Sequence, residues 1–173
     1  MHMGLVKKSK QGDGIAFSEL IRLHQKDLYR VALAMMKNDN DALDCIQETI
    51  LNAYKNLKGL TQDEYFKTWL LRILINKCND SLKKKEKLVS WTVPQPEEQH
   101  HDDATRLDVI NAISHLEKDL KVIVVLYYYE DMSVTDIADS LRIPQGTVKS
   151  RLSRAREQLR ELLGYEERGV PTI

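Results

Sequence analysis

The stretch IPQGTVKSRLSRAR, Ile143 to Arg156, gathers Lys149, Arg151, Arg154 and Arg156 and threads Val148, Leu152 and Ala155 between them. Ammonium and guanidinium groups along one helix suit a polyanion. They neutralise phosphates, and they donate to guanine O6 and N7 in a DNA major groove wide enough to admit an α-helix. Ser150 and Ser153 add hydroxyls that both donate and accept. The apolar residues recur at spacings of four and three, the period of a helix packed on one side. Together with Leu159 and Leu162 they form one narrow stripe. Lys149, Ser150, Ser153 and Arg154 are left on the outer face, where they suit base edges. Arg151, Arg156 and Arg160 flank the stripe and suit phosphates, which position a protein without reading sequence. A basic helix whose charges only keep it soluble would have the same composition, so the neighbouring elements must decide.

Those elements are in the preceding residues. In MSVTDIADSLR, Ser133 can cap a helix by accepting from the amide of Asp136, and Val134, Ile137, Ala138 and Leu141 form its inner stripe. Arg142, Ile143 and Pro144 then make a corner, with Pro144 suited to the first turn of the next helix, where its missing N–H costs nothing. Short capped helix, three-residue corner and basic helix, in that order, form a helix-turn-helix pattern and favour DNA binding.

Two further stretches carry surface chemistry. In NDNDALDCIQETILNAYKNL, Asn38 to Leu57, the residues Leu43, Ile46, Ile50, Ala53 and Leu57 are expected to face a core. Asp44, Gln47 and Glu48 surround Leu51 on the other side. That is either a solvated face or, given an exposed leucine ringed by polar groups, the centre of a protein contact. In EYFKTWLLRILINKCNDSLKKKEK, Glu64 to Lys87, the core candidates are Phe66, Leu70, Ile73, Leu74 and Cys78. The polar residues are Arg72, Asn76, Lys77, Asn79, Asp80, Lys83 and Lys84. Tyr65, Phe66 and Trp69 lie just upstream of them. Aromatic rings beside cations suit unstacked bases of single-stranded nucleic acid, although burial is the commoner use of Phe66 and Trp69.

The chain has 173 residues and a formal net charge of zero, which by itself argues against a generic polyanion binder. The distribution is uneven. Residues 1–90 hold 16 Lys and Arg against 11 Asp and Glu, residues 91–141 hold 3 against 11, and residues 142–173 hold 7 against 4. Two basic ends flank an acidic middle. Periodicity stops between Lys87 and Thr105, where Pro94, Pro96 and an acidic run mark a linker, and Trp91 within it is expected to be a packing anchor. The expected organisation is all-α, with a first helical domain at 10–86, a linker at 87–104 and a second helical domain at 105–164. Val122 to Tyr129 is rich in β-formers but fits a helical stripe through Leu120, Ile123, Val124, Tyr127 and Tyr128. Cys45 and Cys78 form no CxxC pair, so neither a disulfide framework nor a thiolate metal site is expected, and a reducing cytoplasm fits best. No apolar run approaches the roughly 18 residues of a membrane span, and the first residues lack the apolar core of a signal peptide.

Taken in order, DALDCIQETILNAY, FKTWLLRILINKCNDSLKK and VTDIADSLRIPQGTVKSRLSRAREQL, with a proline-bearing acidic linker between the last two, resemble an extracytoplasmic-function (ECF) sigma factor of the sigma-70 family. The resemblance spans about residues 15–162. It implies a bacterial initiation subunit with no catalytic residues, no cofactor and no small-molecule substrate. Such a subunit binds core RNA polymerase through the β′ clamp helices and the β flap, recognises promoter DNA and helps to open it. By position, Asp44, Gln47, Glu48 and Leu51 would face the clamp helices. Asn76, Lys77, Asp80, Lys83 and Lys84 would meet the minus-10 element, and the loop around Lys58 to Tyr65 a flipped base. Lys149, Ser150, Ser153 and Arg154 would read the minus-35 element, with Arg151 and Arg156 beside them. The resemblance further implies an acidic linker threaded near the RNA path, and an anti-sigma factor, often membrane-anchored, that holds the protein inactive.

Two other classes compete. A self-sufficient helix-turn-helix regulator would bind operator DNA as a dimer without polymerase. A metal-dependent hydrolase would use His100, His101, Asp102 and Asp103, but these sit in a linker with no scaffold to fix ligand geometry.

Overall fold

The computed structural model describes residues 2–36, 38–89 and 106–163. Among them the regular structure is helical, without strands, as the apolar periodicity predicts. The helices are α1 (His2–Lys10), α2 (Gly14–Met35), α3 (Asp39–Asn56), α4 (Phe66–Val89), α5 (Arg106–His115), α6 (Lys118–Val124), α7 (Val134–Leu141) and α8 (Gln145–Leu162). They form two compact units, the first built on α1–α4 and the second on α5, α6, most of α7 and α8. Pro94, Pro96, Trp91, His100, His101, Asp102 and Asp103 lie outside the described residues. No described helix is long and apolar enough to cross a membrane.

In the first unit, α2 buries Phe17, Leu20, Leu28, Val31, Ala32 and Met35, and α4 buries Phe66, Leu70, Leu71, Leu74, Ile75 and Cys78. Helix α3 packs against both. Its inner face is only partly the expected one, since Ala53 and Leu57 are buried as expected and Leu43, Ile46 and Ile50 are not. Ala42, Cys45, Thr49 and Ala53 are buried with Leu57, whereas Ile46 and Ile50 are half-buried and Leu43 is 46% exposed. A helix held between two others needs small side chains at its contact line, so backbones can approach and the larger aliphatics move to the flanks. The Thr49 hydroxyl enters at little cost because it donates to the Cys45 carbonyl at 2.7 Å. Burial pushes the Cys45 thiol above its ordinary range, partly offset by hydrogen bonding with Cys78 and Ser81, which leaves an inert thiol inside the core. Ile73 is half-buried rather than core, and α4 continues to Val89, three residues past the expected boundary, because nothing breaks a helix before Pro94.

Helix α1, ahead of the expected first domain, is the main addition. Val6 is fully buried and Ser9 nearly so, its hydroxyl donating to the Leu5 carbonyl at 2.7 Å. The α1–α2 corner turns at Gly12, whose φ of +97° is a conformation that side chains disfavour. Asp13 then caps α2 by accepting from the amides of Ile15 and Ala16, each at 3.0 Å. Asp13→Ala is expected to lower stability by about 1 kcal/mol, read as a fall in the urea midpoint with unchanged slope.

In the second unit, Leu116, Leu120, Val124 and Ala155 form one cluster, with Ile113 and Leu159 packed on its edge. Ile123, Leu126, Ile137 and Val148 are also buried. Helix α6 ends in a π-helical turn, Val125–Tyr129, closed by the Glu130 amide on the Val125 carbonyl at 3.2 Å. Val122, Ile123, Val124, Val125 and Leu126 are all buried, so this end of α6 is enclosed on more than one side, while Tyr127 and Tyr128, expected inside, are exposed and meet edge to face with centroids 5.0 Å apart.

Candidate nucleic-acid and protein-binding surfaces

The helix-turn-helix corner is built as its residues suggest, with two differences. The Ser133 hydroxyl accepts from the Asp136 amide at 3.0 Å and donates back to the Asp136 carboxylate at 2.7 Å, fixing the start of α7. At the other end Arg142 takes a left-handed conformation, φ +56°, and the Ile143 amide reaches back to the Ala138 carbonyl at 3.0 Å. This closure normally recruits glycine, and here an arginine bears the strain. Pro144 is the cap of α8 rather than a residue of its first turn, its carbonyl accepting from Thr147 at 2.9 Å.

Along α8, Val148, Leu152 and Ala155 are buried and Leu159 is half-buried, but the stripe stops there: Leu162 is 51% exposed. Lys149, Ser150, Ser153, Arg154 and Arg156 are exposed. The Ser150 hydroxyl donates to the Thr147 carbonyl at 3.0 Å, so its oxygen remains able to accept. Arg151 is half-buried and ion-paired with Asp119, and Arg154 lies 3.8 Å from Glu117. Charge alone cannot foretell these acidic partners, because they come from the start of α6, more than thirty residues upstream. Both pairs are open to solvent on the acidic side, so exchanging a carboxylate for a phosphate costs little.

In the first unit, Asp44, Gln47, Glu48 and Leu51 are all exposed on one side of α3, with Leu51 62% exposed. Leu43, Gln47, Leu51 and Tyr54 follow each other at spacings of four, four and three, and so lie along one face. Tyr54 is exposed and touches Phe17 of α2 edge to face at 5.1 Å. Leu43 and Tyr54 therefore widen the apolar strip around Leu51. Their place was readable only from the small-residue stripe Ala42, Cys45, Thr49 and Ala53, which claims the inner face.

On α4, Asn76, Asp80, Lys83 and Lys84 are exposed, while Lys77 is half-buried and pairs with Glu48 at 3.4 Å. The structure thus joins a residue expected to meet DNA with one expected to meet protein. Trp69 is half-buried against Phe66, centroids 5.8 Å apart, and Tyr65 is exposed. Between Leu57 and Tyr65 two single 3-10 turns, Leu57–Gly59 and Asp63–Tyr65, bracket an exposed tip at Thr61 and Gln62. Among the described residues no group of His, Cys, Asp and Glu is arranged to hold a metal ion.

Comparison with known proteins assigns both units. The family model for sigma-70 region 2 matches residues 20–88, and that for sigma-70 region 4 matches residues 106–159. The chain is 33% identical over 164 residues to the ECF RNA polymerase sigma factor SigM of Mycobacterium tuberculosis, covering 92% of this chain and 83% of that protein. It is 30% identical over 176 residues to the ECF RNA polymerase sigma factor SigW of Bacillus subtilis, covering 91% and 94%. Among solved structures, the sigma factor RpoE of Bartonella quintana, in complex with the anti-sigma factor NepR, is similar with a TM-score of 0.72 at 25% identity, covering 87% of this chain and 98% of that one.

Proposed function

Because the chain belongs to the ECF sigma factors of the sigma-70 family, we propose that it binds core RNA polymerase, directs it to promoters with minus-10 and minus-35 elements and helps to open them. The observation that carries this is the pairing of the two family regions with three differently equipped surfaces, two in the first unit and one in the second. Region 2 presents an apolar strip with carboxylates and amides on α3, and a polar, lysine-bearing face on α4. Region 4 presents a cationic recognition helix behind a capped helix and a tight corner.

Each surface has a role. Asp44, Gln47, Glu48 and Leu51, widened by Leu43 and Tyr54, engage the clamp helices of β′. Asn76, Lys77, Asp80, Lys83 and Lys84 follow the minus-10 strand, and the tip at Thr61 and Gln62 holds a base taken out of the stack. Lys149, Ser150, Ser153 and Arg154 read the minus-35 element, while Arg151 and Arg156 hold phosphates. The chain contributes binding energy and no catalytic group. It acts in the cytoplasm, the β flap is its second polymerase contact, and an anti-sigma factor regulates it, as the resemblance to a sigma factor bound to its inhibitor supports.

The test is selection from a random promoter library by core polymerase supplied with the protein. Two short elements at fixed spacing should emerge, and the protein without core should enrich neither. Enrichment of one palindromic site by the protein alone would instead identify a polymerase-independent regulator.

A further inference from the structure

Helix α1 has no part in the surfaces described so far, yet its last residue reaches across the fold. The Lys10 ammonium donates to the Leu60 carbonyl and to the Asp63 carboxylate, fifty and fifty-three residues away in sequence. Both side chains are largely enclosed, Lys10 at 22% and Asp63 at 15% exposure. Between these two anchors lie only Thr61 and Gln62, both exposed. The Leu60 side chain is buried, its amide donates to the Leu57 carbonyl at 3.1 Å, and the Tyr65 amide closes on the Gln62 carbonyl at 3.2 Å. One cation therefore ties both shoulders of a two-residue tip, and α1 is itself seated by buried Val6 and Ser9.

We infer that Lys10 is a positioning residue for promoter recognition, fixing the tip at Thr61 and Gln62 so that a single extruded base is discriminated. The inference rests on the base-holding role proposed for that tip. The tip offers a hydroxyl and a carboxamide, groups that donate and accept, to the edge of a base, with the exposed Tyr65 ring beside them for stacking. Such readout depends on placement to within about 0.5 Å. Removing the ammonium leaves an enclosed carboxylate and a carbonyl without their donor, and the tip loses its reference to the helical scaffold.

The experiment uses holoenzyme assembled from bacterial core polymerase and the full chain. The probe is forked promoter DNA whose non-template strand is unpaired and randomised through the minus-10 region. Lys10→Met should reduce the preference at one unpaired position by about tenfold, the scale of a lost charge-assisted hydrogen bond, while minus-35 preference and affinity for core stay as in wild type. Lys10→Arg, which keeps the donors, should retain the preference, and Asp63→Asn should weaken it at that same position. Because the readout is a ratio between bases, a smaller folded fraction does not imitate it. Unaltered preference in Lys10→Met, or a uniform weakening that includes the minus-35 element, overturns the inference. If wild-type holoenzyme selects no base in the unpaired strand, the base-holding role fails first.

Discussion

Leu51→Asp should weaken binding to core RNA polymerase by about 30- to 100-fold, the range of a hot-spot residue at the centre of an interface. Leu51 sits on the outer side of α3 and is mostly solvent-exposed, so the free protein has no packing to lose there. In the complex the leucine would be covered, with Leu43 and Tyr54 on one flank and Asp44, Gln47 and Glu48 around it. An aspartate in its place must be dehydrated beside carboxylates already present, with no new cation to meet it. Competition against a labelled wild-type protein for core polymerase measures the effect. The urea midpoint, unchanged, separates it from misfolding. Gln47→Ala should weaken binding less, since an amide can keep part of its hydrogen bonding through water.

The second large effect belongs to α8. Replacing Lys149 and Arg154 together with alanine should erase about 100-fold of the preference for an intact over a scrambled minus-35 element, on the basis of about 1–3 kcal/mol for each well-placed side-chain contact to a base. Alanine is a better helix former than either residue, and both are exposed, so the helix itself should persist. Removing Arg154 also leaves the Glu117 carboxylate without its neighbour near the phosphates, which adds repulsion to the lost contact. Arg156→Ala differs in kind. It should weaken binding evenly across sequences and flatten the salt dependence, as expected for a phosphate contact. Promoter-selection profiles at two salt concentrations distinguish the two behaviours.

Legibility in the sequence followed the strength of local physics. The α7 cap at Ser133, the corner before α8 and the outward placement of Lys149, Ser150, Ser153 and Arg154 follow from short-range rules of capping and 3.6-residue periodicity. Those rules fail where a helix is packed on more than one side. In α3 the larger aliphatics look like the core, yet a helix between two others selects Ala42, Cys45, Thr49 and Ala53, and the apolar strip around Leu51 is broader as a result. They fail again at the end of α6, where Val122 to Leu126 are buried on more than one side and Tyr127 and Tyr128, within the π-helical turn, are exposed. Distant ion pairs leave no local trace. Nothing near Lys10 points to Asp63, nothing near Arg151 to Asp119, and nothing near Lys77 to Glu48. The family motifs compensate for part of this, because they carry the consequence of tertiary contacts that a single sequence does not display.

The most direct measurement is permanganate reactivity of promoter thymines in the presence of core polymerase, with and without this protein. Unpaired thymines should appear at the minus-10 element and extend to the start site only when the protein is added, and Leu51→Asp should suppress them. Reactivity that is independent of the protein, or protection of a duplex site by the protein alone with no opening by polymerase, would contradict its assignment as an initiation subunit.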